Sequence, residues 1–124
     1  MDATRKKIEL LWESCGAGDW ETFGALLAPD VVYECPQTRE RVRGREAYVR
    51  YNREFPGDWT ATMEALVAEE RQGVSRMRFV LGDEVMTGIA FVTFDEQGLV
   101  DSVRDYWPEE YEPSANRAHL VERY

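Results

Sequence analysis

The feature that most constrains the fold is a series of four strand-like segments, joined by short turns, in the second half of the chain. In each segment apolar and polar residues alternate, which is typical of a strand with one buried face. The segments are residues 59–69, 74–81, 85–94 and 99–107, and the turns are predicted at Gln72-Gly73, Gly82-Asp83 and Glu96 to Gly98. Strands joined by such short turns lie side by side and run antiparallel. The pattern therefore predicts a meander.

The hairpin around Gly82-Asp83 allows a more detailed prediction, because a two-residue loop fixes the register of its two strands. The predicted pairs, all on one face, are Phe79 with Met86, Met77 with Gly88 and Ser75 with Ala90. Small residues on a buried sheet face leave space, which either a helix or a ligand can fill. This face is therefore a candidate wall of a pocket.

The opposite face of this hairpin is unusually apolar for a surface that meets water. Val80, Val85, Ile89 and Phe91 stand on it among charged residues. Exposed apolar patches of this kind mark association surfaces. We therefore expect a second subunit to cover much of this outer face, in a homodimer.

Asp105 is the strongest candidate for chemistry in the chain. In the last segment Leu99, Asp101, Val103, Asp105 and Trp107 fall on one face, and Val100, Ser102, Arg104 and Tyr106 on the other. A carboxylate that points into an apolar interior loses hydration, which raises its pKa toward the range useful for acid/base catalysis. The alternative is an aspartate at the rim, solvated or paired with an arginine or a tyrosine. Asp101, nearer the turn, is expected to be exposed.

The first half of the chain predicts three helices and one strand. The helices are residues 2–15, a short one that Asp19 caps and Pro29-Asp30 end, and 45–55; the strand is 31–35, and 37–43 is a polar connector. In the third helix the inward stripe is Ala47, Tyr48, Tyr51 and Phe55. This stripe is unusually aromatic, and with Asn52 it is expected to line a pocket.

Composition excludes several functional classes. The chain has 124 residues and a net charge of −9, so it is expected to form one domain and to be poorly suited to nucleic acid, which requires clustered positive charge. It shows neither a signal peptide nor an apolar run of the ~20 residues that a membrane span needs, so a cytoplasmic location is expected. Two cysteines, Cys15 and Cys35, and one histidine, His119, predict neither a disulfide framework nor a metal site. No cofactor is predicted.

Four motifs connect the chain to a known superfamily. They are GDW at 18–20, PDVVYE at 29–34, VRGREA at 42–47, and FDEQG with DYW at 94–107. Together they resemble the nuclear transport factor 2-like superfamily, whose members include SnoaL-like polyketide cyclases, ketosteroid isomerases and limonene epoxide hydrolases. The resemblance covers residues 4–107. It implies an α+β fold in which three N-terminal helices pack on the concave face of a cone-shaped, curved, mostly antiparallel sheet. Residues 108–124 would be the tail of a single domain, 1–124.

The spacing is most similar to ketosteroid isomerase, but the groups of that enzyme are missing. By position, the isomerase tyrosine falls on Leu11, its base on Cys35 and its protonated oxyanion-hole acid on Ala90. Leucine and alanine neither take a proton nor stabilise an enolate, and no neighbouring base activates Cys35. The resemblance therefore implies the pocket, lined by Val103, Asp105 and Trp107, without this mechanism.

Two functions stay open. One is a cofactor-free SnoaL-like enzyme for proton transfer, cyclisation, isomerisation or hydrolysis of a small apolar or aromatic molecule, with Asp105 as acid/base. The other is a non-catalytic ligand-binding or dimerisation module.

The predicted ligand-binding residues are Leu11, Cys15, Tyr33, Cys35, Tyr48, Tyr51, Phe55, Met77, Phe79, Gly88, Ala90, Val103 and Trp107. Trp107 either orients a ligand through its indole N–H or forms a stacking wall. The cluster Arg39, Arg41, Arg43 and Arg45 is either a solvated loop or a site for a ligand carboxylate or a partner's acidic tail.

Overall fold

A computed structural model describes residues 2–124 of the chain. Its elements are α1 (Asp2–Ala17), α2 (Trp20–Ala25), β1 (Leu27–Cys35), β2 (Glu40–Arg43), α3 (Arg45–Arg53), β3 (Trp59–Ala68), β4 (Gln72–Leu81), β5 (Glu84–Phe94) and β6 (Val100–Tyr106), and a 3-10 helix follows at Ala115–Leu120. The fold is α+β, as the sequence predicts.

A curved sheet of six strands forms the body, in the order β2-β1-β6-β5-β4-β3. Strands β1 and β6 are parallel, and every other neighbouring pair is antiparallel. The helices cover the concave face. Their apolar residues, such as Ile8, Leu11 and Phe23, meet Val92 and Val103 of the sheet in one fully buried core. Burial of these side chains is the main stabilising contribution to such a fold.

The predicted register of the central hairpin is confirmed. Met77 pairs with Gly88 and Phe79 with Met86 across β4 and β5. Residues on the inner face are mostly buried, whereas Val85 and Phe91 on the outer face are exposed. The alternation rule therefore assigns the two faces of this hairpin correctly.

A bulge changes the start of β6. Phe94 pairs with Val100, but Thr93 pairs with Ser102, so Asp101 is an extra residue on β6. Val100 is consequently fully buried on the inner face, beside Val103, where simple alternation predicts the outer face. Asp101 is half-buried rather than exposed, and it accepts a hydrogen bond from the Thr93 hydroxyl. Such an extra residue resets the phase of a strand.

The polar connector predicted at 37–43 contains a strand. Glu40–Arg43 pairs with the end of β1 at the sheet edge, after a turn in which Arg39 has a φ of 59°. Because β2 is short and mostly exposed, it shows no apolar alternation. Strand β1 itself begins at Leu27, so Pro29 and Asp30 lie within β1 rather than ending α2. Its register with β6 is interrupted there, which accommodates the missing N–H of a proline.

Two further boundaries differ from the sequence prediction. The β3–β4 turn lies at 69–71, and Gly73 is within β4, where a side chain would collide with Ile8. This glycine therefore serves packing rather than the turn. Helix α3 ends at Arg53, two residues early, and Ala47 of its predicted inward stripe is exposed.

The tail, 108–124, does not pack on the body. Tyr111 is 85% exposed and Leu120 is 73% exposed, and none of the residues of the 3-10 helix is buried. In residues 2–124, no helix is both long and apolar enough to span a membrane.

Candidate functional site

A connected series of aromatic rings fills the space between α3 and the sheet. Tyr33 of β1 stacks on Tyr48 of α3 at 5.0 Å and lies 5.0 Å from Tyr51. From Tyr51 the contacts continue through Phe55 to Phe79 of β4. Rings at these distances and tilts attract one another beyond their burial. The interior of the cone is therefore lined by a continuous set of aromatic rings.

Within these rings the structure leaves a small inner cavity of about 70 Å³. Its lining residues are Trp12, Cys15, Tyr33, Tyr48, Tyr51, Asn52, Phe55, Trp59, Ala61, Met77, Phe79, Gly88, Ala90, Asp105 and Trp107. Pockets for organic ligands usually measure about 300–1,000 Å³. The inner cavity therefore accepts such a ligand only if a lining side chain moves.

A second, open space, the outer groove, measures about 1310 Å³ and lies between β2, α3 and the ends of β4 and β5. Charged residues line its rim, including Arg43, Arg45, Arg50, Glu40, Glu46 and Glu54. Four aromatic residues line both spaces: Tyr51, Phe55, Phe79 and Trp107. These four side chains therefore separate the inner cavity from the outer groove.

Asp105 is the carboxylate of the inner cavity. It lies on β6 opposite Ala90 of β5, after the bulge and on the inward face. Burial raises the pKa of Asp105 from 3.8 to about 6, and a hydrogen bond from the Tyr33 hydroxyl offsets part of that increase. The group therefore changes charge close to neutral pH, as an acid/base catalyst needs.

The groups around Asp105 stay neutral. Burial raises the pKa of the Cys15 thiol to about 12, and the negative charge of Asp105 adds to the effect. The same two causes, burial first, raise the pKa of Tyr33 and of Tyr48, and burial also raises that of Tyr51. These hydroxyls and the thiol are therefore hydrogen-bond donors at neutral pH, and Asp105 is the cavity group that titrates there.

Polar contacts anchor the helical wall of the cavity. The Trp12 indole donates to the Ser75 hydroxyl at 2.9 Å, and Ser75 is fully buried. The Cys15 thiol donates to the side-chain oxygen of Asn52, whose amide nitrogen donates to the backbone oxygen of Tyr48. These bonds tie α1 to β4 and to α3.

Trp107 follows the last residue of β6 and closes the cavity beside Asp105. Its backbone N–H donates to the side-chain oxygen of Gln37 in the β1–β2 turn, at 3.0 Å. Its ring meets Phe79 edge-on at 5.2 Å. A Cβ atom on Gly88 would lie only 2.9 Å from the indole. The space left by this glycine is therefore filled by Trp107.

The structure brings most of the predicted site residues together. Leu11 and Val103 are instead fully buried in the core and line neither space, and Cys35 lines the outer groove. Three cavity residues lie outside the predicted set: Trp12, Trp59 and Ala61. The sequence indicates all three residues. The helical period of α1 places Trp12 inward, and the alternation of β3 places Trp59 and Ala61 inward.

Two arginines of the β1–β2 cluster, Arg41 and Arg45, have partners within the chain. Arg41 and Arg104 both bind the carboxylate of Glu34, and Arg45 donates twice to the backbone oxygen of Leu27. Arg41 and Arg45 therefore have a structural role, because their side chains bind Glu34 and the backbone of Leu27. In the described part of the chain, no three acidic, cysteine or histidine side chains converge as metal ligands do.

Comparisons with known proteins agree with this architecture. A model of the SnoaL-like domain matches residues 8–103. A structure from Kribbella flavida, provisionally assigned as a ketosteroid isomerase, is 44% identical, with coverage of 100% of this chain and 91% of that chain and a TM-score of 0.92. No curated protein matches the sequence.

Two more distant structures share the fold. An NTF2-like protein of unknown function from Burkholderia xenovorans is 18% identical over 99% of this chain and 96% of that chain, with a TM-score of 0.81. A structure from Xanthomonas campestris, provisionally assigned as a polyketide cyclase, is 20% identical over 86% of this chain and 91% of that chain, with a TM-score of 0.70.

Proposed function

The chain belongs to the SnoaL-like domain family of the nuclear transport factor 2-like superfamily, and on this premise we propose that it is a cofactor-independent acid/base enzyme. Its substrate is a small apolar or aromatic molecule, and its reaction is an isomerisation, a cyclisation or a hydrolysis. Asp105 is the acid/base, and Tyr33 and Tyr51 position the substrate.

The observation that carries this proposal is the environment of Asp105. Its pKa of about 6 leaves it mostly ionised at neutral pH but still basic enough to accept a proton. The neutral hydroxyl of Tyr51 supplies a donor for an oxygen that becomes negative in the reaction, while the Tyr33 hydroxyl donates to Asp105. One carboxylate among neutral donors therefore suffices for a reversible proton transfer.

The similar structures support this class of reaction rather than one substrate. The names given to them include ketosteroid isomerase and polyketide cyclase. By the resemblance, the isomerase acid would stand at Ala90, and the structure pairs Ala90 with Asp105 on the neighbouring strand. In this chain the carboxylate stands at the paired position on β6 instead of on β5. This placement favours a related proton transfer with a different geometry.

A proton-exchange experiment tests the proposal. The probe is 2-tetralone, an apolar two-ring ketone whose α-protons exchange slowly with deuterium oxide. We expect the wild type to accelerate this exchange, with activity rising as pH increases through about 6 as Asp105 ionises. Asp105→Asn should abolish the acceleration. Asp83→Asn, which alters an exposed carboxylate in the hairpin loop, is the matched control and should keep it.

A carbon-13 titration of Asp105 checks the premise independently of any substrate. We expect a pKa near 6. A pKa close to that of a free aspartate, together with no exchange in the wild type, would sink the enzyme proposal.

One observation favours a second function, a non-catalytic binding module. The inner cavity measures only about 70 Å³, and Asp105 is the one carboxylate among its lining residues in the described chain. A module of this kind would bind 2-tetralone without exchanging its protons. Binding with unchanged exchange in both the wild type and Asp105→Asn would therefore select this second function.

We also propose that a second copy of the chain covers the outer sheet face. Phe91 is 45% exposed there and meets Tyr106 edge-on, and Val85, farther along the same face of β5, is exposed as well. Such a patch is typical of an association surface.

A further inference from the structure

The indole of Trp107 occupies a space in the cone between the backbone at Gly88 and the ring of Phe79. Three carbons of its six-membered ring lie 2.9 to 3.3 Å from where a Gly88 Cβ would be, so the indole rests against the bare backbone of β5. Phe79 meets the ring edge-on on another side. We call this space, bounded by Gly88 and Phe79, the ring slot.

The ring slot lies directly beside the acid/base candidate. Asp105 and Trp107 are two residues apart on one face, which places their Cα atoms about 7 Å apart. Trp107 is also one of the four aromatic residues that line both the inner cavity and the outer groove. Moving its indole toward the groove would join the two spaces and would free the slot next to the carboxylate.

The attachment of Trp107 is compatible with such a movement. Trp12, another tryptophan that lines the cavity, is fixed through its ring, because its indole N–H donates to Ser75. The hydrogen bond that holds Trp107 is on its backbone, where its N–H donates to Gln37. Rotation about the side-chain bonds of Trp107 therefore leaves that bond intact.

We propose that the ring slot is a binding site for a flat, fused-ring, apolar molecule. When this molecule binds, it takes the place of the Trp107 indole against Gly88. This inference rests on the proposed function and specifies its substrate class. The outer groove receives the displaced indole. Tyr51, Phe55 and Phe79 supply the aromatic walls that such a ring prefers.

Binding of 2-naphthol, a flat molecule close to indole in size, distinguishes a displaced indole from a stacking wall. Trp107→Ala should bind it about tenfold more tightly than the wild type, because no indole has to leave the slot. Gly88→Ala should weaken binding at least about tenfold, because the added methyl group occupies the slot. Gly24→Ala, where the added atom meets only an ordinary contact with Val49, is the control and should bind as the wild type does.

The opposite results would overturn the inference. If Trp107 is a wall on which the ligand stacks, Trp107→Ala binds more weakly than the wild type. Unchanged binding in Gly88→Ala places the probe outside the slot. Circular dichroism checks that each variant is folded, and Trp107→Leu, which keeps more apolar volume, replaces Trp107→Ala if that variant is unfolded.

The outcome can be separated from that of the enzyme proposal. In the Asp105→Asn background, the order of affinities among Trp107→Ala, wild-type Trp107 and Gly88→Ala should persist, because the slot does not depend on the carboxylate. Proton exchange of 2-tetralone, in contrast, should be lost in that background. Lost exchange with a preserved order supports both proposals, and a changed order overturns the slot alone.

Discussion

The buried carboxyl group of Asp105 lowers the stability of the folded state at neutral pH. The fold buries its carboxyl group among aromatic rings, and its pKa rises because the charged form is poorly hydrated there, although the hydrogen bond from Tyr33 offsets part of the increase. A raised pKa means that the folded state prefers the protonated form. The contribution of this carboxyl group to the free energy of unfolding is therefore greatest below about pH 4. That contribution is lost as pH increases through about 6.

Asp105→Asn should consequently be more stable than the wild type at neutral pH. The difference between a pKa of 3.8 and one of about 6 corresponds to about 3 kcal/mol in the free energy of unfolding, which sets the upper limit of the gain. The gain should shrink as pH decreases and should disappear near pH 4, where the wild-type carboxyl group is protonated in both states. Urea unfolding across this pH range measures it. A variant that is less stable than the wild type at neutral pH would contradict the burial of the charge.

Sequence alone places Asp105 on the inward face of its strand but does not reveal the contact between Trp107 and Gly88. Alternation places Asp105 inward whatever surrounds it, because the period of a strand is local. The space beside Gly88 could be filled by a helix, a ligand or a side chain, and only the three-dimensional position of β6 next to β5 decides among them. The polar contacts of Trp12 and Cys15 depend on the fold in the same way.

At the scale of elements, the meander was predictable and its irregularities were not. The bulge at Asp101 adds one residue to β6, and no local pattern distinguishes an extra residue from a regular one. It changes the faces only of residues before Val103, so the predicted face of Asp105 is correct. Strand β2 was not predictable, because a short polar strand at the sheet edge shows no alternation of apolar and polar residues.

Gly73 offers a test of an element boundary. Because Ile8 of α1 packs where its side chain would be, Gly73→Ala should destabilise the protein by about 1–3 kcal/mol through overpacking. Thermal or urea unfolding measures this change, and Gly24→Ala, which makes only an ordinary contact, is the matched control.

A second substitution gives this test its specificity. Ile8→Val removes the methyl group that the new side chain would strike, so the double variant should recover part of the loss despite the smaller core residue. Additive losses would instead show that the added atom is opposed mainly by the backbone oxygen of Val67, which would lie 3.1 Å away, rather than by Ile8.

At the scale of the whole molecule, two apolar surfaces lack a partner within residues 2–124. One is the outer sheet face around Phe91, and the other is the tail with Tyr111 and Leu120. The aligned region of the Kribbella flavida structure covers the full length of this chain, tail included. An extended tail that buries none of its apolar residues on its own body is better suited to contact a second copy than to stand in water.

The tail and the outer face together give the final prediction. We expect the full chain to sediment as a dimer at micromolar concentration, and Phe91→Glu to dissociate it by burying a charge in the interface. Leu10→Glu is the matched control, because Leu10 lies on α1, away from this face, with a similar exposure of 42%. Removing residues 108–124 should weaken the dimer without altering the circular dichroism of the body. A monomeric wild type, or equal dissociation by both glutamate variants, would contradict the proposed interface.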